Sequence, residues 1–347
     1  MVGTDGALPL PWLLEPLQRA LSTQRAHALL VQGPQGVGQF EFGTTLAQAW
    51  LCEAPGARAQ AGQPCGLCAS CRLVQAHVHP DLQVLLPEAM RESLGWKTAD
   101  SEGDQAAAEK GSKAKPSKEI KVDAVRAAVA FAQSTSARGR GKVLLVHPAE
   151  RMNAIAANAL LKTLEEPPGD SRFVLCSAAP DALPPTIRSR CQAVVLALPP
   201  ADQASQWLSE QGVLQPEILL AAAGGQPQQA LEWAREGLRA AHWAEVPKLL
   251  ARGDISGLEA WPLARLVEAM QKLCHDSLCV AVGAAPRYFP ESAIAPGASV
   301  EALCRWAVEL NRSSRHADHP WSAGLMSDAL VQLARRALAG TGIKNPA

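Results

Sequence analysis

The densest chemical signal is a set of thiols at Cys52, Cys65, Cys68 and Cys71, spaced C-x12-C-x2-C-x2-C. Three fall on one short loop, and Cys52 falls at the end of a predicted helix. Four thiolates close a tetrahedron around zinc with no position left open, so the pattern points to a structural metal and not a catalytic one. An iron–sulfur cluster is the main competing ligand. Its run asks for a further Cys and Pro beyond Cys71, where Arg72-Leu73-Val74 stands. Paired disulfides or an unligated cluster are the remaining alternatives. Cys176, Cys191, Cys274, Cys279 and Cys304 lie in apolar stretches and are expected to be small buried hydrophobes.

A second signal follows the apolar run HALLVQG. The segment GPQGVGQF places Gly33, Gly36 and Gly38 in a G-x-x-G-x-G frame ahead of a helical pattern. Such a frame lets backbone amides curl around phosphates at a helix N-terminus. Lys and then Ser or Thr should come next, and Gln39 and Phe40 occupy those positions. Without the Lys, charge neutralisation of the β- and γ-phosphates is lost; without the hydroxyl, a magnesium ligand is lost. The partner strand of such a site ends in Asp-Glu, whereas KVLLVHPAE carries His147-Pro148 there. A glycine turn alone can be just a tight strand-to-helix connection. The loop and strand together, with all four groups replaced, describe an ATPase scaffold whose own site is inactive. Glycine amides that still hold a nucleotide without hydrolysing it are the minor alternative.

These residues need a scaffold that brings strand ends together. Apolar runs at His27 to Gly33, Asp81 to Pro87, Lys142 to Pro148, Arg172 to Ala178 and Gln192 to Leu198 alternate with helical patterns. This is the signature of a parallel sheet covered by helices. Met152, Ile155, Leu160, Leu161 and Leu164 recur at helical spacing before Pro167-Pro168, and core packing is the expected role of that helix. Between Glu88 and Lys118 the composition turns to Glu, Lys, Ser, Gly and Ala, which reads as a flexible surface insertion. After Pro199-Pro200 the chain is helical in character. Ala201 to Gln211, Pro216 to Gly224 and Gln228 to Leu238 form a small lid, followed by longer segments at Leu258 to Val280, Val300 to Leu310 and Ser322 to Leu338. The expected division is an α/β domain over 1–198, a helical lid over 199–240 and a helical domain over 241–347.

The charge balance narrows the function classes. Lys plus Arg and Asp plus Glu both number 33, so no global field draws the chain to nucleic acid or membrane. No run of about eighteen apolar residues occurs, and the chain is expected to be cytoplasmic. Nine cysteines, an odd number, argue against a secreted disulfide framework.

HVHPD, NALLKTLEEPP, LPPTIRSRC and a cysteine insertion after the phosphate loop occur in this order. The chain resembles the delta-prime family of bacterial DNA polymerase III clamp-loader subunits, within the AAA+ group. The match is good from Leu29 to Leu198, with Asn158 to Pro168 on the family's helix before the fourth strand. The resemblance implies a three-domain subunit of a pentameric loader, with a C-terminal collar. Its implied partners are the delta subunit and a tau or gamma motor subunit, and through the assembly the sliding clamp and primer–template DNA. It implies that Arg190 of the Ser189-Arg190-Cys191 triplet reaches a neighbour's ATP site as an arginine finger. A salt bridge to a helix carboxylate is the competing role for that Arg. In GGQPQQAL, Gln228 replaces the family's nucleotide-sensing Arg. Structural Zn2+ and no ATP hydrolysis by this chain are therefore expected. An ATP-hydrolysing tau/gamma-like subunit and a zinc-dependent DNA-binding regulator are the alternatives.

Overall fold

The computed structural model describes residues 1–23, 26–54, 63–96, 116–314 and 323–339. The chain forms two compact units, Met1–Pro199 and Pro200–Ala347. The division falls at Pro199-Pro200, between the last strand, which ends at Val195, and a helix that starts at Ala201.

The first unit is built on β1 (Ala28–Gln32), β2 (Leu82–Leu85), β3 (Val143–Val146), β4 (Arg172–Ser177) and β5 (Gln192–Val195). All pairs are parallel, in the order β2-β3-β4-β1-β5. Leu30 lies opposite Leu175 on one side and Ala193 on the other. A strand covered on both faces needs apolar side chains at every position, and β3 is buried at each of its residues. Its helices are α1 (Leu14–Thr23), α2 (Gln39–Leu51), α3 (Ala69–Gln75), α4 (Glu88–Arg91), α5 (Val122–Gln133), α6 (Ala154–Glu165) and α7 (Pro185–Arg188). Leu144, Val146, Phe173 and Leu175 pack against Val125 and Ala128 of α5 and Leu160 and Leu164 of α6. Val143 points the other way, onto Ala47 and Leu51 of α2 and Val74 of α3. The alternation of the strand thus seats α2, which carries the glycine loop, on the face opposite α6.

Three expectations need correction here. Met152, Leu160 and Leu164 are buried, but Ile155 is 65% exposed. The buried stripe of α6 runs through Ala156, Ala157, Leu160 and Leu164, which turns Ile155 outward. Part of the segment expected to be a flexible insertion is built into the fold. Glu88–Arg91 is helical, Trp96 is 6% exposed, and Glu88 pairs with Lys121 at 2.5 Å. Residues 97–115 of that segment lie outside the described residues. Of the remaining cysteines, Cys176 and Cys274 are buried, whereas Cys191 and Cys279 are half-buried and Cys304 is exposed.

The second unit is helical: α8 (Ala201–Glu210), α9 (Pro216–Ala222), α10 (Pro227–Arg235), α11 (Ala240–Arg252), α12 (Leu263–Ala281), α13 (Val300–Ser314) and α14 (Ala323–Leu338). The helix expected from Leu258 starts at Leu263, with Pro262 (ψ 143°) as its N-cap and turns over residues 256–260. The fully buried Trp243 anchors this core, its ring stacked on Phe289 at 4.5 Å and near Trp233 and Trp261. Among the described residues, no helix is long and apolar enough to cross a membrane.

Candidate functional site

Cys52 follows the last turn of α2, Cys65 lies in the loop before α3, Cys68 is the N-cap of α3 and Cys71 stands within it. The four Sγ atoms lie within 4.8 Å of one another. Cys52 and Cys68 are 3.9 Å apart, and Cys65 and Cys71 are 3.8 Å apart. A tetrahedral ion with metal–sulfur bonds of about 2.3 Å requires edges of about 3.8 Å. Backbone amides already point at the sulfurs: Leu67 and Cys68 donate to Cys65 at 3.4 and 3.3 Å, and Cys71 donates to Cys68 at 3.4 Å. Burial pushes the Cys65 thiol up, but the Leu67 and Cys68 amides together with the Cys52 and Cys68 thiols outweigh it and hold it down to about 6. Burial raises Cys71 and Cys52 above the usual thiol range. No cysteine of the chain is in a disulfide. The residues fit a tetrahedral metal held by thiolates, the state in which cysteine ligates.

The two halves of the expected phosphate site also meet. Gly38 has φ 99° and heads α2, and a Cβ there would come within 2.3 Å of Leu10 Cδ1, so only glycine fits. Gln39 is 5% exposed. Its Nε2 donates to the carbonyls of Gly33 at 2.8 Å and Pro34 at 2.6 Å, so the carboxamide folds onto its own loop. The Phe40 ring lies 5.1 Å from His147, at the end of β3, and 6.1 Å edge-on to Trp96, which stacks on His77 at 3.9 Å. Burial pushes the His147 imidazole down to about 4, against the opposing pull of the Glu150 carboxylate. The ring is neutral near pH 7, and its Nδ1 is buried with no hydrogen-bond partner among the described residues. Glu150 is turned to the end of β4, where its Oε1 accepts from the Ala178 amide at 3.1 Å. Where a magnesium-bound phosphate would need oxygens and a cation, the glycine loop and the end of β3 present the Phe40 ring tilted against a neutral imidazole.

Ser189-Arg190-Cys191 links α7 to β5. Arg190 Nε donates to Glu165 Oε1 at 2.7 Å, Nη2 donates to the same oxygen, and Nη1 donates to the Thr186 carbonyl at 2.9 Å. The two side chains are 31% and 47% exposed. The Ser189 hydroxyl donates to the Thr186 carbonyl, and Cys191 packs on the α5–α6 core. In the second unit, Gln228 is half-buried near the start of α10.

Residues 11–200, more than half of the chain, match the family described as DNA polymerase III, delta subunit. The chain belongs to this family. It is 38% identical to the Pseudomonas aeruginosa DNA polymerase III subunit delta′ over 234 residues, 65% of this chain and 62% of that one. It is 35% identical to the Escherichia coli subunit delta′ over 64% of this chain and 59% of the relative. For the Yersinia pestis subunit delta′ the identity is 32% over 72% of this chain and 68% of the relative. The matches to the first two thus span about three fifths of those relatives' length.

Two residues of this DNA polymerase III family member carry little signal in the sequence. Trp96 packs edge-on against Phe40 of the glycine loop from a segment whose composition reads as solvated, and only the presence of a lone Trp there could have flagged it. Glu165 is the partner of Arg190, and its signal was position alone, at the carboxyl end of α6 just before Pro167-Pro168.

Proposed function

We propose that this chain is a non-hydrolysing, delta-prime-type subunit of a DNA polymerase III clamp loader, with an AAA+-like first domain. In this reading it assembles with a delta subunit and tau or gamma motor subunits, and the complex loads a sliding clamp onto primer–template DNA. The helical unit divides into a lid over 199–240 and a collar over 241–347. The four cysteines hold a structural Zn2+, whose closed coordination stabilises the loop without taking part in chemistry. The observation that carries the non-hydrolysing role is the filled phosphate site, with Gln39 bonded to its own loop and Phe40 against His147.

Arg190 then serves a neighbour's ATP site. Its pairing with Glu165 in the isolated chain is compatible with that role. An exposed ion pair contributes about 0.2–1 kcal/mol, because water screens it. A phosphate that a docked neighbour shields from water is screened less than Glu165 is, and its geometry suits a guanidinium fork that Lys cannot copy. Fingers of this kind contribute roughly 10³–10⁵ in turnover at the site they complete. The test is a reconstituted loader carrying Arg190→Ala. Assembly should persist while DNA- and clamp-stimulated ATP turnover falls; unchanged turnover in a fully assembled complex would leave the Glu165 salt bridge as the whole role of Arg190.

A further inference from the structure

The cysteine site is tied to the sheet through one residue that its spacing does not reveal. Asp81, just ahead of β2, is fully buried. Its Oδ1 accepts from the Ala137 amide at 2.7 Å and faces Lys142 Nζ at 3.4 Å. Its Oδ2 accepts from the Arg138 amide at 2.8 Å and the Ser136 hydroxyl at 3.0 Å. Burial pushes this carboxyl up, but the amides of Ala137 and Arg138, with Ser136 and Lys142, hold it below the usual range. The carboxylate thus fixes the turn 136–138 and with it the base of the Arg138 side chain.

From that base Arg138 reaches the first ligand. Its Nε and Nη2 fork onto Glu53 Oε1 and Oε2 at 2.6 and 3.0 Å, and Glu53 directly follows Cys52. A second arm leaves Asp81 by its backbone. The Asp81 amide donates to His79 Nδ1 at 3.0 Å, so the ring proton must reside on Nε2. Nε2 then donates to the Ser70 hydroxyl at 2.6 Å, and Ser70 lies between Cys68 and Cys71. His79 is 4% exposed and Ser70 is fully buried, so this arm is sheltered from competing water.

The geometry points to Asp81 as the positioning residue of the metal site, gripping the Cys52 side through Arg138 and Glu53 and the Cys68–Cys71 side through His79 and Ser70. This rests on the thiolate-metal reading given above. Cys52 and Cys65 are separated by twelve intervening residues, so closing that loop has an entropic cost of the kind that grows with loop length. Two arms fixed to a rigid sheet end reduce it in advance. Groups that orient ligands in this way contribute roughly 10–100-fold to metal affinity elsewhere.

The full chain is purified as wild type, Asp81→Asn, Arg138→Met and Arg138→Lys. Zinc affinity is measured by competition with a chelator. Labelling of each ligand thiol in the metal-stripped chain is followed by peptide mass spectrometry. Arg138→Met should weaken zinc about 10-fold, with Asp81→Asn at the upper end of a 10–100-fold range, and both should speed labelling of Cys52. Arg138→Lys, which keeps the charge and loses the fork, should fall between. Arg138 and Glu53 are 31% and 28% exposed, so this arm is cut without opening the core, and it decides the matter even if Asp81→Asn fails to fold. A wild type that binds no zinc would sink the metal reading alone, since labelling of the stripped thiols tests positioning independently. Zinc affinity within twofold of wild type, or equal Cys52 labelling in wild type and Arg138→Met, overturns the inference.

Discussion

Replacing Glu165 by Gln isolates what it costs Arg190 to leave its resting partner. Two guanidinium nitrogens converge on Glu165 Oε1, with side chains 31% and 47% exposed, so the pair is screened by water. Its contribution is about 0.2–1 kcal/mol, which at an RT of about 0.59 kcal/mol lowers the fraction of released Arg190 roughly 1.4- to 5-fold. Gln keeps the size and an accepting oxygen but removes the charge, and the Thr186 carbonyl still holds Nη1. If Arg190 must exchange Glu165 for a phosphate, Glu165→Gln should raise turnover at the completed site by up to about fivefold, with assembly unchanged. The assay compares reconstituted loaders carrying wild type, Glu165→Gln, Arg190→Ala and the double variant under DNA and clamp stimulation. Turnover surviving in Arg190→Ala reports the sites that do not use this finger and is subtracted. In the Arg190→Ala background, Glu165→Gln should change nothing. A gain of equal size in both backgrounds, or no gain in an intact complex carrying Arg190, would refute the exchange.

Restoring only Gln39→Lys should yield no ATP hydrolysis by the isolated chain, because Phe40, His147 and Pro148 still withhold the magnesium ligand and the carboxylates; steady phosphate release would contradict this. Cys68→Ser should reduce bound zinc from one ion per chain to none by elemental analysis. The sheet should still melt cooperatively, since its larger core, on the α5–α6 face, contains no residue of the cysteine segment. For His147 the sign is set by burial. The unfolded ring binds a proton near pH 6.5 and the buried ring only near pH 4, so stability is complete above about 6.5 and is lost as pH falls toward 4. Denaturant melts at pH 7 and pH 4.5 should show His147→Gln sparing roughly 2–3 kcal/mol of the acid loss seen in wild type, and equal losses would remove His147 as the cause.

What could be read ahead of the structure follows from how far each signal reaches along the chain. The central strands β1, β3 and β4 were legible because a doubly covered parallel strand must be apolar at nearly every position, and a Gly or Pro follows each of the five runs; β5 has only Val194 buried. The glycine loop and the end of β3 were legible as separate segments, and the fold brings Phe40 and His147 together because β4 alone lies between β1 and β3. Ile155 misled because helical period alone does not say which apolar residues face inward; the small Ala156 and Ala157 take the core side of α6. Trp96 and Asp81 were illegible for a different reason. Their roles depend on partners far away in sequence, as with Arg138 and Glu53, 85 residues apart, and no local pattern encodes such a pair. The same holds for Arg190 and Glu165, 25 residues apart. The triplet announced a cation at a strand start, but only the packing of α6 beside α7 decided which carboxylate would hold it. Departures from a motif, such as Gln39, Phe40, His147 and Pro148, are therefore visible in a single sequence, because each is local. What packs at those positions, and which carboxylate holds Arg190, is set by tertiary contacts.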